Sequence, residues 1–334
     1  MKIFWKTEVC PFFYQPFLMG LKWGQTLIYH NKIDFNIIFF YNKVMKLTFL
    51  GTGTSQGVPV IACDCPVCKS NDSRNKRYRS SVYIQTNDNK FILVDIGPEF
   101  RLQCLENNVK KIDAVLLTHS HADHLHGIDD LRIFSCSMFR EPKDPQSLER
   151  YKAPPLPIYT NKTCAEDISH RFGYFFMPVK EGGGCAKVQI NIAEDSFFIG
   201  KTQITPIPMM HGHLPTTGWL FTETNNMKKS IAYLTDCNYI SDESIKLIHD
   251  NCGHLEHLII DGLMIKEHST HFNFLQALEA SSKIQADHIW FTHITHKESH
   301  DQIIEYIEQN ASSFPGLQTA KSILPAFDRQ IIEC

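Results

Sequence analysis

The chain has 334 residues and a formal net charge of −3, with 43% hydrophobic and 21% charged residues. The apolar fraction excludes an intrinsically disordered chain, and the near-neutral charge excludes a strongly basic nucleic-acid binder. Two counts stand out, 17 histidines and 11 cysteines, and an odd number of cysteines does not close a disulfide framework.

Residues 1–44 differ in composition from the rest of the chain. They contain 12 aromatic residues and show neither a helical nor a strand period. Their longest uncharged apolar run, residues 9–21, is too short to span a membrane and lacks the cleavage site of a signal peptide. We therefore predict an extension over residues 1–44, outside the core or upstream of the true start, and one domain over residues 45–334. The missing signal and the free thiols predict a cytoplasmic protein with no membrane partner.

From Met45 onward, short strands and helices follow one another. The predicted strands are residues 47–50, 81–86, 91–95, 114–117, 157–159, 202–207, 219–224, 230–234, 257–260 and 288–291. The predicted helices are a short one after Pro98 and residues 125–134, 164–172, 242–249, 272–284 and 298–309. Residues 140–157 and 182–184 are predicted surface loops. Hairpins in the first half and alternating helices in the second indicate two packed sheets covered by helices.

A dense group of ligand-type side chains follows the predicted strand 114–117. The run THSHADH, residues 118–124, contains His119, His121, Asp123 and His124. This spacing is suited to two adjacent metal ions, with the first two histidines directed to one ion and Asp123 and His124 to the other. Imidazole and carboxylate ligands suit Zn, Mn or Fe.

The spacing His-x-His-x-Asp-His resembles the defining motif of the metallo-β-lactamase superfamily. The resemblance implies an α/β (α+β) fold, the αββα sandwich of two mixed sheets flanked by helices, with a dimetal site at one edge of the sheets. It also implies three more ligands, His211, Asp236 and His293, each of which follows a predicted apolar strand. Asp236 is the implied bridge between the two ions.

Three cysteines, Cys63, Cys65 and Cys68, lie within six residues, a spacing at which thiolates bind one zinc ion. Together with the preceding run GTGTSQGVP, residues 51–59, they resemble the branch of phosphoribosyl 1,2-cyclic phosphate phosphodiesterases, the PhnP type. That resemblance implies His296, three residues after His293, as the fourth ligand of a structural zinc.

The same branch has a histidine near the leaving group, in a His-Phe-Asn-like motif that opens a helix. Here the match is His271-Phe272-Asn273, which implies His271 as the general acid, with an unperturbed pKa near ~6.5. The implied activity is hydrolysis of a small, cyclic phosphodiester by a hydroxide that bridges two divalent ions, Mn or Zn. Asp236 is catalytic because it holds both ions. The resemblance also implies a homodimer.

Two alternatives stay open, an endoribonuclease resembling tRNase Z and a non-hydrolytic metal-bound protein resembling PqqB. The basic residues Arg74, Lys76, Arg77 and Arg79 would attract a phosphate or form a solvated or salt-bridged face. They keep a nucleic-acid partner open, but the net charge of −3 and the absence of a long basic arm disfavour it. The complete set of seven dimetal ligands favours catalysis over the non-hydrolytic alternative.

Overall fold

The computed structural model describes residues 44–224 and 228–334. The predicted extension therefore lies almost wholly outside the described residues, and its role stays a prediction. Within the described ranges, no helix is long and apolar enough to cross a membrane.

The strands form two seven-stranded sheets and one small two-stranded sheet. In chain order they are β1 (Lys46–Gly51), β2 (Ser81–Gln85), β3 (Phe91–Val94), β4 (Ala114–Leu116), β5 (Cys136–Met138), β6 (Leu156–Thr160), β7 (Gly184–Ala186), β8 (Val188–Ile192), β9 (Phe197–Ile199), β10 (Thr202–His211), β11 (Leu214–Glu223), β12 (Lys229–Leu234), β13 (His254–Asp261), β14 (His288–Thr292), β15 (Ser322–Pro325) and β16 (Ile331–Glu333). The first sheet has the order β16-β1-β2-β3-β4-β6-β8, the second β15-β14-β13-β12-β11-β10-β9, and β5 pairs with β7.

The α-helices lie on the outer faces of the sheets or in the connections between strands. They are α1 (Pro66–Lys69), α2 (Phe100–Glu106), α3 (Ala122–Leu125), α4 (Pro145–Lys152), α5 (Lys162–Arg171), α6 (Asp242–Cys252), α7 (Phe274–Ile284) and α8 (His300–Asn310). Short 3-10 helices lie at Ser73–Asn75, Ile128–Ile133, Gly173–Phe176, Ala311–Ser313 and Pro315–Leu317.

The sandwich follows from strands that are buried on both faces, whose successive side chains alternate between two apolar layers. In β12, Ile231 and Tyr233 face the layer between the sheets, whereas Ala232 and Leu234 face the layer under α6, α7 and α8. Each fully buried large side chain contributes about 1.5–3 kcal/mol relative to exposure. A third layer packs the outer face of the first sheet against α2 and α5. The chain therefore has the predicted αββα sandwich of two mixed sheets flanked by helices.

Parallel strands in both sheets direct their carboxyl ends toward the site. The pairs β3–β4 and β4–β6 in the first sheet, and β12–β13, β13–β14 and β14–β15 in the second, are parallel. Loops at the carboxyl ends of parallel strands are the usual location of binding sites in α/β sheets. The residues directly after β3, β4, β12 and β14 therefore become neighbours in space.

Two predictions about secondary structure are wrong. The predicted helix 125–134 is the end of α3 followed by the 3-10 helix Ile128–Ile133. Gly127 separates them, because a Cβ there would lie 2.2 Å from the carbonyl oxygen of Gly97. The predicted loop 140–157 contains α4, which begins after the N-cap Asp144 with Pro145 in its first turn.

A buried polar network connects the start of the first sheet to the end of the chain. The guanidinium of Arg77 donates to Thr52 Oγ1 at 2.7 Å and to the Ala326 carbonyl at 2.6 Å, and lies 3.3 Å from His300 Nδ1. Asp328 accepts from the backbone and hydroxyl of Thr52 at 2.9 and 2.7 Å. Burial, with the neighbouring arginines adding to it, lowers the pKa of His300 to about 4, so this ring is a neutral acceptor.

Candidate metal centre

The histidine motif occupies the turn between β4 and α3. His119 and His121 come together there with His211, from the end of β10, and their ligand nitrogens lie within 4.8 Å of one another. His119 and His211 are buried, whereas His121 is exposed on the open side of the group. The structure thus brings three of the predicted ligands into one group, which we call the first group.

A second group adjoins it, with all four members buried. It contains the remaining predicted ligands, Asp123, His124, Asp236 and His293, whose ligand atoms also lie within 4.8 Å of one another. His124 Nε2 lies 3.0 Å from Asp236 Oδ2 and 3.2 Å from Asp123 Oδ2. His293 Nε2 lies 3.3 Å from the same Asp236 oxygen.

Asp236 is the residue between the two groups. Its Oδ2 faces the second group, and its Oδ1 lies 3.9 Å from His119 Nε2 of the first group. One carboxylate therefore presents one oxygen to each group, the arrangement expected of a bridging ligand.

The side chains of these groups fit divalent cations. His119 Nε2, His124 Nε2 and both ring nitrogens of His293 are buried and, among the described residues, have no hydrogen-bond partner. Orphaned buried nitrogens are costly unless a ligand occupies them. No lysine or arginine of the described ranges forms an ion pair with Asp95, Asp123, Asp236 or Asp261 in or beside the site. Nitrogen and carboxylate donors around an uncompensated negative cluster suit Zn, Mn or Fe.

The histidine protonation states follow from burial and charge. Burial lowers the pKa of His211 and lowers that of His119 well below its usual value, so both rings are neutral. Burial alone would also lower the pKa of His124, but the carboxylates of Asp236, Asp123 and Asp95 together raise it well above its usual value. The second group therefore requires a positive charge, which a divalent cation supplies in place of the proton.

Outer hydrogen bonds fix which nitrogen of each ring faces the groups. Asp95 Oδ2 lies 2.8 Å from His124 Nδ1, the Thr270 carbonyl 2.8 Å from His211 Nδ1, and Thr118 Oγ1 3.0 Å from His119 Nδ1. Each contact engages Nδ1 and leaves Nε2 for the groups, the arrangement typical of metal-binding histidines.

Three residues of the site adopt left-handed backbone conformations. The φ angles of Asp95, Asp236 and His293 are 63°, 55° and 61°. A side chain with a Cβ in this region costs roughly 1–2 kcal/mol. Such strain persists only where the surrounding structure fixes it, and it occurs often at functional sites.

His271 lies beside both groups. Its ring is 4.4 Å from that of His211 and 4.7 Å from that of His293, and its Nδ1 lies 2.9 Å from Asp261 Oδ2. Burial alone would lower the pKa of His271, but the adjacent carboxylate of Asp261 raises it to about 9. His271 precedes α7 by three residues and is not its N-cap, which is Asn273. The arrangement holds a proton on a ring that borders the metal groups.

Sequence reasoning missed Asp95 and Asp261 as parts of the site. Asp95 follows β3 directly, and Asp261 is the last residue of β13. Both therefore carry the signal that marked Asp236, a carboxylate at the end of an apolar strand.

The cysteine cluster is a separate group of ligand atoms. His296 Nδ1 lies 3.3 Å from Cys63 Sγ, 3.4 Å from Cys65 Sγ and 3.4 Å from Cys68 Sγ. All three cysteines are free thiols. A hydrogen bond from the backbone N–H of Cys68 is the main cause that lowers the pKa of Cys65 to about 6. Three sulfurs around one ring nitrogen fit a tetrahedral zinc site.

The basic residues at positions 74, 76, 77 and 79 all bind other groups of the protein. Arg74 pairs with Asp72 and Asp301 at 2.7 and 3.0 Å, and Lys76 Nζ donates to the Cys68 carbonyl at 2.9 Å. Arg79 binds Glu99 and the Ser55 carbonyl, and Arg77 lies in the buried network described above. Of the two interpretations of this stretch, the salt-bridged one therefore fits the structure.

Fold and site together define a class, the metal-dependent hydrolases built on the αββα sandwich. Residues 90–294 match the family described as the beta-lactamase superfamily domain, and the chain belongs to that superfamily. Its members are generally metal-dependent hydrolases.

Among solved structures, the chain is similar to a diphosphatase of the PhnP family. The two are 32% identical with a TM-score of 0.69, over 87% of this chain and 98% of the other. The Zn(2+)-bound PqqB of Methylobacterium extorquens, 17% identical with a TM-score of 0.65 over 86% of this chain and 100% of that one, shares the fold.

The curated relatives match this chain over only part of their own length. The octanoyltransferase of Porphyromonas gingivalis is 32% identical over 278 residues, which cover 82% of this chain and 51% of the relative. The exodeoxyribonuclease WalJ of Streptococcus pneumoniae is 25% identical over 182 residues, 53% of this chain and 56% of the relative. The chain spans about half the length of these relatives.

Proposed function

We propose that this protein is a dinuclear metal-dependent phosphodiesterase of the PhnP type that hydrolyses a small, cyclic phosphodiester and contains a separate structural zinc. The observation that carries the proposal is the convergence of seven buried or edge ligands in two groups that share Asp236. The similarity to a PhnP-family diphosphatase at 32% identity supports chemistry at a phosphorus–oxygen bond.

The residues that would hold the ions are those of the two groups. His119, His121 and His211 would hold one ion, Asp123, His124 and His293 the other, and Asp236 both. When bound, two divalent ions supply a low-pKa water and neutralise charge on phosphoryl oxygens.

His271 would protonate the departing alkoxide. Its Nδ1 is engaged by Asp261, so Nε2 is the atom that remains for the substrate. The carboxylate of Asp261 raises the pKa of His271, which favours the protonated ring that a general acid requires. Asp261 fixes the orientation of the ring and compensates its charge.

Cys63, Cys65, Cys68 and His296 would bind the structural zinc. Only two residues separate the last dimetal ligand, His293, from His296. A zinc ion at the cysteine cluster would therefore stabilise the connection that positions His293.

The deciding experiment is elemental analysis of the purified protein together with hydrolysis of bis(p-nitrophenyl) phosphate in added Mn or Zn. We expect about three metal ions per chain, the two dimetal ions and one zinc, and metal-dependent turnover. Cyclic phosphoribosyl phosphodiesters would then be compared with linear diphosphates as substrates. A single tightly held zinc and no turnover with any metal would overturn the proposal in favour of a non-hydrolytic, PqqB-like role.

The tRNase Z-like alternative is tested by cleavage of tRNA precursors and by the salt dependence of RNA binding. Because the four basic residues at positions 74–79 bind groups of the protein itself, they do not form a free phosphate-binding face. We therefore expect no cleavage of tRNA precursors and no salt-dependent shift with RNA. Cleavage of a tRNA precursor, or a salt-dependent shift with RNA, would show that the substrate is a nucleic acid and not a small phosphodiester.

A further inference from the structure

A groove lies on the outer side of the first sheet, away from the ligands of both metal clusters. It is bounded by α2, the segment 109–112, the 3-10 helix Ile128–Ile133 and α4, and its volume is about 760 Å³. None of its lining residues belongs to the dimetal groups or the cysteine cluster. The volume is within the range of sites that bind small molecules.

The floor and one rim of the groove are apolar. Phe100, Val109 and Ile112 form the floor and belong to the core layer under α2 and α5. Leu105 and Ile133 line the same groove with 60% and 52% of their surface exposed. Large apolar side chains that converge on one concave surface indicate a binding site, whereas singly exposed ones do not.

The walls of the groove are cationic. Two carboxylates line the groove, those of Asp130 and Glu149. Five basic side chains outnumber them, those of Arg101, Lys110, Lys111, Arg132 and Arg150. Lys111 and Arg132 pair with aspartates outside the groove. In the described part of the chain, Arg101 and Lys110 form no ion pair.

Arg150 provides the most specific observation. Its Nη2 donates to Ser147 Oγ at 2.9 Å, but its Nε–H is buried and has no acceptor among the described residues. A buried N–H without an acceptor is unfavourable, and a charged one more so, because its hydration has been lost. Because Arg150 lines the groove, an anionic or carbonyl oxygen bound there would supply the acceptor that its guanidinium lacks.

We propose that this groove binds a single-chain fatty carboxylate, with the alkyl chain on the apolar floor and the carboxylate at Arg150. A hydrophilic anion would leave the apolar floor in contact with water, and an uncharged alkyl chain would leave Arg101 and Lys110 without an anionic partner. An amphipathic anion satisfies both surfaces. This inference does not depend on the proposed phosphodiesterase activity.

The first test is calorimetric titration of the full 334-residue chain with dodecanoate below its micelle concentration. We expect saturable binding of one dodecanoate per chain and a rise in Tm that saturates at the same ligand concentrations. Acetate has the charge without the chain and is expected not to bind. Dodecanol has the chain without the charge and is expected to bind roughly tenfold more weakly, the size of one charged hydrogen bond.

Two variants and a control locate the site. Leu105→Glu places a carboxylate in the groove at an exposed position, so the fold is retained and dodecanoate affinity falls at least about tenfold. Arg150→Gln removes the preference for dodecanoate over dodecanol. The control is Lys143→Gln, at an exposed lysine just before α4 that does not line the groove. It is expected to leave the affinities for dodecanoate and dodecanol unchanged.

Hydrolysis of bis(p-nitrophenyl) phosphate is expected to be the same in all three variants, so failure of this inference is distinguishable from failure of the proposed function. Absence of dodecanoate binding would overturn the inference. Equal affinity in the parent, Leu105→Glu and Arg150→Gln would also overturn it, because it would show unspecific adsorption.

Discussion

The His/Asp groups and the cysteine cluster are close in the chain only at His293 and His296, and they are built differently. The ligands of the His/Asp groups follow the ends of strands in both sheets, and outer contacts such as Asp95 to His124 orient their rings. The cysteine cluster lies on a loop whose own core has only three buried residues, Val58, Val67 and Cys68.

The difference concerns what holds each set of side chains in place. The sheets and the carboxylate partners position the His/Asp groups before any ion binds. In the cysteine cluster, the three thiols and His296 contact one another over a core of only three buried residues, so the ion itself would provide much of the order. Variants in the two regions should therefore fail in different ways, in chemistry for the first and in stability for the second.

The largest effect on chemistry is expected from Asp236→Ala. Removal of the carboxylate shared by both groups should reduce phosphodiester turnover by at least about 10²–10³-fold, since preorganised charge stabilisation is lost. Turnover and metal content are the measurements, with Asp195→Ala, an exposed aspartate, as control. Near-full turnover in Asp236→Ala would contradict the role of Asp236 as a shared ligand.

Cys65→Ala is the matching change in the second region. We expect the loss of one zinc per chain while the other two ions remain, and a drop in Tm of roughly 5–10 °C, since each kcal/mol corresponds to about 2–4 °C. Elemental analysis and thermal unfolding measure the two effects. Cys104→Ser, at a half-buried cysteine outside both clusters, is the control. Unchanged zinc content would refute the structural zinc.

A smaller effect on chemistry is expected from Asp261→Asn. The amide keeps the shape of the side chain but does not compensate a charged His271, so kcat should fall about 10–100-fold while metal content and KM change little. The double variant with His271→Ala should be no slower than His271→Ala alone, because both changes affect the same proton. Additive losses would show that Asp261 acts by another route.

The buried network around Arg77 predicts a pH dependence of stability. The pKa of His300 is about 4 in the folded protein and near its usual 6.5 in the unfolded chain, so the unfolded state binds more protons between these values. The contribution of His300 to the free energy of unfolding should therefore fall as the pH drops from 6.5 to 4, by up to about 3 kcal/mol, whereas Asp328, whose pKa burial raises to about 7, acts in the opposite direction.

His300→Gln should remove the His300 contribution from the stability profile and leave that of Asp328, because the amide oxygen accepts from Arg77 without titrating. The measurement is urea unfolding at several pH values, with the exposed His249→Gln as control. If the parent and His300→Gln profiles are parallel, His300 is not the titrating group.

The smallest effect is expected from removal of residues 1–44. If they lie outside the core, turnover should be unchanged and Tm should shift by less than about 2–4 °C, the equivalent of 1 kcal/mol. A large loss of turnover or stability on deletion would show that the extension belongs to the domain.

The candidate ligands could be singled out from the sequence because most of them lie at or shortly after the end of an apolar run. Asp236 lies two residues after β12 and His293 directly after β14, both of them strands buried on both faces, and buried strands have a clear sequence signal. The order of ligands along the chain then suggested the fold.

Other features were not predictable, for identifiable reasons. The spacing of Ile128 and Leu131 suits an α-helix and a 3-10 helix equally, and only the close approach of Gly127 to Gly97 separates them. Asp95 and Asp261 differ from ordinary strand-end carboxylates only through their contacts with His124 and His271, which join distant parts of the chain. The left-handed conformations at the site have no local sequence signal of the kind that glycine gives.

The half-exposed thiols have a consequence for exposure to foreign metals. Cys63 and Cys65 are partly accessible to solvent, whereas all members of the second His/Asp group are buried. Soft ions such as Cu(I) prefer thiolates, so they would exchange at the cysteines before they reach the buried imidazoles and carboxylates. If the cysteine cluster binds zinc as proposed, such an exchange would disturb His293 through the short connection from His296, although the cysteines themselves would take no part in the chemistry.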